Sequence, residues 1–155
     1  EFLRLASGGA AHAFDTDPKA QSVQQENARS FGLSNLLIGH DHAMPFTSDN
    51  LTIRRPDALF LGGGIDPDVI HAAIGHLKPG GCLVAHAVTI ESEAHLMIAF
   101  QRYGGDLTRV SIARSEPVRK QADVNAGNAK VGNDFHGFKP AMTVTQWSFQ
   151  KESDL

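Results

Sequence analysis

Short apolar runs of strand length alternate with amphipathic segments of helix length along the whole chain, and this alternation limits the fold more than any other feature. The run "AAHAF" (10–14) is followed by a helical segment that Asp17 and Pro18 start and Gly32 stops. An Asp at the cap accepts a hydrogen bond from the first free helical N–H groups, and proline fits the first turn because its missing N–H would have no partner there. The next apolar runs are "NLLI" (35–38), "DALFLGGG" (57–64) and "CLVAHAV" (82–88). Between the last two, Asp66 and Pro67 repeat the capping signal, and Val69, Ile70, Ala73, Ile74 and Leu77 recur at helical spacing on one face. Residues 92–103 read as a third helix closed by Gly104, and "EFLRLASGG" at the start reads as the last turns of a helix that stops at Gly8 or Gly9. The runs "LTRVSIA" (107–113) and "MTVTQWSF" (142–149) alternate in character and come last, with no helix between them. Crossover helices force parallel pairing, whereas alternating strands suit antiparallel pairing, so the order predicts an α/β domain with a mostly parallel sheet and an antiparallel last strand.

Composition removes several classes of function. The chain has 155 residues, enough for one domain with a buried core, and residues 1–155 are read as a single domain. No apolar run approaches the roughly 20 residues that span a bilayer. A net charge of −3 leaves no electrostatic footprint for nucleic acid. The lone Cys82 has no internal disulfide partner and sits inside an apolar run, which reads as a buried, inert thiol in a reducing cytoplasm. Residues 120–137, "KQADVNAGNAKVGNDFHG", are polar and rich in Gly and Asn, and read as an inserted loop between the last two strands.

Ligands of open parallel sheets sit beyond the carboxyl ends of the strands, so the residues there carry the functional information. The first end carries Asp15. An acid at this place accepts hydrogen bonds from ribose hydroxyls, which both NAD and S-adenosylmethionine present. The plainer alternative is a helix cap, a role that Asp17 already fills. The second end carries His40, Asp41 and His42, a triplet that resembles metal ligands. Alternate residues on a loop often point apart and no further ligands converge on them, so no metal is expected; Gly39, His40 and Asp41 are read as adenine-side contacts. The third end is Gly62-Gly63-Gly64, where absent side chains let a ligand approach the backbone, although tight turns use glycine runs too. Gly62 and Gly63 are assigned to the cofactor and Gly64 to the substrate.

The fourth end is "LKPGGCLVAHAVTIESEAHL" (77–96). Taken with "GGGI" (62–65), "SIARSEPV" (111–118) and "KPAMTVTQWSF" (139–149), it resembles the decarboxylating precorrin-6Y methyltransferases of cobalamin biosynthesis. The similarity is to the carbon-15 methylating unit, in particular the form fused behind a carbon-5 methyltransferase domain. That resemblance implies a Rossmann-like class I fold, S-adenosylmethionine as cofactor and a precorrin tetrapyrrole as substrate, methylated at carbon 15 with loss of carbon dioxide from an acetate arm. It also implies a fused or separate carbon-5 domain as partner. Under it, Thr89, Glu91 and His86 orient the macrocycle and move protons, and Arg114 pairs with a carboxylate arm. Arg54, Arg55, Arg119 and Lys139 are weaker candidates for that last role. The plainer alternative makes Glu91 and Ser92 helix caps and His86 a packed core histidine.

This sequence departs from the family's pattern in three places. His86 stands where Asn is expected, and His40 where an acid or Arg is usual. The family's first strand, with its GxGxG loop, finds no match in residues 1–155. That strand lies between the strands ending in Asp15 and Gly62, so residues 1–155 read as an N-terminally incomplete domain with two half-sheets and unpaired edges, which a homo-oligomer is expected to cover if these residues are the whole polypeptide. Two other readings stand beside this one: an NAD-dependent oxidoreductase, which the "LKPGG" turn and the antiparallel ending disfavour, and a non-catalytic Rossmann-like domain, which the absent strand favours.

Overall fold

A computed structural model of the chain describes residues 2–5, 8–40, 54–117 and 135–152. The chain falls into two compact units, residues 1–51 and 52–155. The first contains α1 (Phe2–Leu5), β1 (Ala11–Phe14), α2 (Pro18–Ser30) and β2 (Leu37–His40). Asp17 caps α2 by accepting the Lys19 N–H at 2.9 Å, with Pro18 in the first turn. At the other end Gly32 takes a φ of 68°, which L-residues avoid. β1 and β2 pair in parallel with Phe14 opposite His40, and α2 packs on β2. This register carries β2 to residue 40, two residues beyond the expected run, so Gly39 and His40 are strand residues and not loop residues.

The second unit contains β3 (Ala58–Leu61), α3 (Pro67–His76), β4 (Cys82–Ala87), α4 (Ile90–Tyr103), β5 (Asp106–Val110), β6 (Ala113–Pro117), β7 (His136–Pro140) and β8 (Val144–Gln150). Four of the strands form a sheet in the order β3-β4-β8-β5. β3 and β4 are parallel, and β8 runs antiparallel between β4 and β5. Three strands of this sheet therefore point one way and only β8 opposes them, as the sequence predicts. Strand alternation sorts the two faces. Leu61, Leu83, Ala85, Ala87, Trp147 and Phe149 are buried on the helix side with Leu96 and Ala99 of α4 and Ile70, Ala73, Ile74 and Leu77 of α3. Each fully buried Leu or Ile contributes about 1.5–3 kcal/mol relative to an exposed one. Cys82, Val84 and His86 project from the opposite face.

Cys82 is exposed, which overturns the buried-thiol expectation. It is the first residue of β4 and falls on the face away from the helices, so the apolar run around it says nothing of its own burial. The strand expected over 107–113 breaks after Val110, and β6 and β7 were not anticipated. They pair antiparallel with Ala113 opposite Pro140. Nearly every residue of the pair is exposed, so no hydrophobic alternation marks it. Most of the expected inserted loop lies outside the described residues, and its last two residues, His136 and Gly137, belong to β7. Contacts between Ser111 and Thr143 and from Ala141 N–H to Ile112 O bridge the two ladders, so β5–β6 and β7–β8 make one long ribbon.

The "LKPGG" turn lies at the amino end of β4 and is structural. Lys78 grips Asp57 at 2.7 and 2.8 Å, Gly80 adopts a φ of 77°, and the backbone of Gly80 and Gly81 exchanges hydrogen bonds with Lys151. Among the described residues no helix is long and apolar enough to cross a membrane.

Candidate active site at the strand ends

Asp15 follows β1 directly and is half-buried. Its Oδ1 accepts the Asp17 N–H at 2.9 Å and its carbonyl accepts from the Gln21 side chain at 2.7 Å, which fixes the carboxylate on the mouth of α2. Among the described residues Oδ2 meets no hydrogen-bond partner. One oxygen thus holds the turn and the other remains for a ligand. At the end of β2, His40 stacks on Phe14 with ring centroids 4.3 Å apart, and its Nε2 lies 3.0 Å from His12 Nδ1. Gly39 and His40 also line a groove of about 620 Å³ against α2, together with Gln21, Gln25 and Arg29. The expected contact Asp41 lies outside the described residues, as do His42 and Arg119. Among the described residues no three His, Cys, Asp or Glu side chains gather as metal ligands.

In the second unit the carboxyl ends of β3 and β4 sit side by side, because Leu61 pairs with Ala85. Gly62, Gly63 and Gly64 follow β3 and are exposed, with Gly64 at a φ of 62°. A side chain at Gly62 would press on the Phe60 ring, whereas Gly63 and Gly64 face open space. After β4 the chain turns through Val88 into Thr89, which caps α4 by accepting the Ser92 N–H at 3.2 Å. Thr89, not Glu91 or Ser92, is therefore the helix cap. Glu91 stands exposed in the first turn, where an acid suits the positive helix end. His86 is the last residue but one of β4. It projects from the open sheet face, with Nε2 2.8 Å from Gln146 Oε1 and the Phe60 ring edge-on at 4.9 Å.

Two residues in contact with these positions escaped the sequence reading. His95 of α4 donates from Nδ1 to the Ile65 carbonyl at 2.9 Å, tying α4 to the glycine turn. Gln146 meets His86 across the β4–β8 ladder. Neither carries a local signal, since their partners are 30 and 60 residues away. Arg114 stands in β6 opposite Lys139, on the ribbon that leaves the sheet beyond the end of β5. Lys139 pairs with Glu116 at 3.3 Å, and Arg114 has no ion pair among the described residues. Arg54 and Arg55 are exposed ahead of β3.

Comparison with known proteins agrees with this architecture. Residues 1–151 match the family described as precorrin methyltransferase domain. The precorrin-6Y C(5,15)-methyltransferase [decarboxylating] of a Sinorhizobium species is 37% identical over 142 residues, covering 91% of this chain and 30% of that protein. The enzyme of the same name from Mycobacterium tuberculosis (strain H37Rv) is 36% identical over 152 residues, covering 97% of this chain and 34% of the relative. The chain thus spans about a third of the length of these curated relatives. The crystal structure of the C-terminal domain of precorrin-6Y C5,15-methyltransferase from Rhodobacter capsulatus superimposes with a TM-score of 0.74 at 29% identity, over 92% of this chain and 69% of that one. On its sequence, the chain belongs to the precorrin methyltransferase domain family.

Proposed function

We propose that this chain forms the carbon-15 unit of a decarboxylating precorrin methyltransferase, with S-adenosylmethionine as methyl donor and a precorrin tetrapyrrole as substrate. The observation that carries this reading is Asp15, a half-buried carboxylate at a strand end with one oxygen committed to the α2 turn and the other open to a ribose hydroxyl. The donor set of the first unit fits the cofactor: Asp15 for the ribose, with Gly39 and His40 beside a groove for the base. Bound there, S-adenosylmethionine supplies an electrophilic sulfonium methyl.

The chain's own residues then have a modest task. A precorrin is a reduced, enamine-rich macrocycle whose ring carbons are already nucleophilic, so alignment accounts for much of the catalysis. Gly64 leaves room for a flat ligand, and Arg114 offers a planar two-donor fork to a carboxylate arm. Glu91 and the Thr89 hydroxyl line the strand end, and His86 can accept or return a proton. Decarboxylation of an acetate arm uses the same conjugated ring as electron sink, aided by a proton donor. The family's relatives carry more chain than this, which suits a carbon-5 domain in the same assembly. The same assembly would be a homo-oligomer in the cytoplasm.

Isothermal titration of the protein with S-adenosylhomocysteine and with NAD tests the cofactor. Tight binding of the first alone is expected, weakened roughly 10- to 100-fold in Asp15→Asn, because the charge-assisted bonds are worth about 1.5–3 kcal/mol. The amide keeps the turn to Asp17 and removes only the charge. Equal affinity in the variant, or a preference for NAD, would contradict the assignment.

A further inference from the structure

Gln146 meets the imidazole of His86 across the β4–β8 ladder. The two residues are direct partners in the β4–β8 ladder, both half-buried, with His86 Nε2 2.8 Å from the carboxamide oxygen. An amide oxygen only accepts, so the ring that meets it through Nε2 carries its proton there and keeps its lone pair on Nδ1. Phe60 closes the other side, edge-on at 88° to the imidazole, which restricts the ring's rotation. Among the described residues no partner meets Nδ1. The other titratable groups on this sheet face are Cys82, at the far end of β4, and Asp106, which pairs with Ser148 and not with Gln146. The neutral Thr108 is the β5 residue opposite Gln146.

We propose that Gln146 is a positioning residue for His86, holding the imidazole as the Nε2–H tautomer and presenting Nδ1 to the substrate as the proton-accepting atom. The inference rests on the functional reading above. When Nδ1 takes a substrate proton the ring becomes imidazolium, and the Nε2–H bond to Gln146 persists through the transfer. The ring therefore keeps its aim in both states.

Long-range ¹H–¹⁵N spectra of histidine-labelled protein test this, with the His86 signals identified by their loss in His86→Asn. A protonated Nε2 and a bare Nδ1 are expected. Gln146→Glu should keep Nε2 protonated and Nδ1 bare, because a carboxylate oxygen at this place also only accepts. Gln146→Leu should lower kcat about 10-fold or more with little change in KM. A bare Nε2 in the wild type or in Gln146→Glu overturns the proposal, and the wild-type spectrum alone decides if the variants do not fold. The spectra need neither cofactor nor substrate. A protein that binds no S-adenosylhomocysteine contradicts the functional reading, whereas one that binds it but shows a bare Nε2 contradicts only the role of Gln146.

Discussion

Thr89 joins a strand end to a helix start, so its hydroxyl can serve the fold, the substrate or both. Its Oγ1 accepts the Ser92 N–H, and loss of such a cap costs about 1 kcal/mol. Thr89→Ala should therefore lower the thermal midpoint, and Thr89→Ser should restore it. Thr89→Asp separates the roles, since aspartate caps as well as threonine but donates no hydroxyl proton. Recovered stability with lost turnover would show that the hydroxyl reaches the substrate; recovery of both would leave Thr89 a cap. Arg114 allows a similar separation. If its guanidinium grips a carboxylate arm, Arg114→Lys should raise KM for the tetrapyrrole several-fold and leave S-adenosylhomocysteine affinity unchanged in calorimetry. The positions of Asp15, Thr89 and the glycine run were legible because strand ends in an α/β order can be located from local pattern. His95 and Gln146 were not, because their roles depend on partners that only the folded chain brings near. The burial of Cys82 was misread for a related reason: an apolar run locates a strand without saying which of its faces a helix covers.

The elements that were legible are those with one buried face or a strong cap. α2 and α3 both start at an Asp-Pro pair, and β4 and β8 alternate buried with half-buried residues along their length. β6 and β7 have neither signal; they are held by backbone pairing and by Lys139–Glu116, which leaves no periodic trace. α3 ends in a way the sequence did not reveal. Lys151, only 6% exposed, reaches from the end of β8 to the Leu77 carbonyl at 3.1 Å, with the Gly75 carbonyl at 3.5 Å. A cation at the negative end of a helix is favourable, and its burial here makes it more so. Lys151→Met keeps the length and loses the charge and the donors. It should destabilise the protein by about 1–3 kcal/mol, read as a lower urea midpoint at unchanged slope.

The described chain forms two small α/β units. Stability of the second unit should depend on pH through His76, at the end of α3. Desolvation, and then the positive charge of Arg55, hold its pKa below the ordinary 6.5. The unfolded chain therefore binds the proton more readily than the folded one. This contribution is complete above pH 6.5, falls as the pH drops from there through the lowered folded value, and changes no further below it. Urea unfolding followed by the fluorescence of the single tryptophan, Trp147, should show that decline, and His76→Gln should flatten it. The position of β8 also has a consequence for synthesis. Cys82 pairs with Gln150 and β5 reaches β4 only through β8, so the sheet cannot close until the chain has been translated to its eighth strand. At about 5–20 residues per second, β4 waits on the order of 3–14 s for its partner after leaving the ribosome. During that interval Leu83, Ala85 and Ala87 lie on a strand still missing a neighbour, which makes the nascent chain a client for chaperones that the finished protein no longer needs.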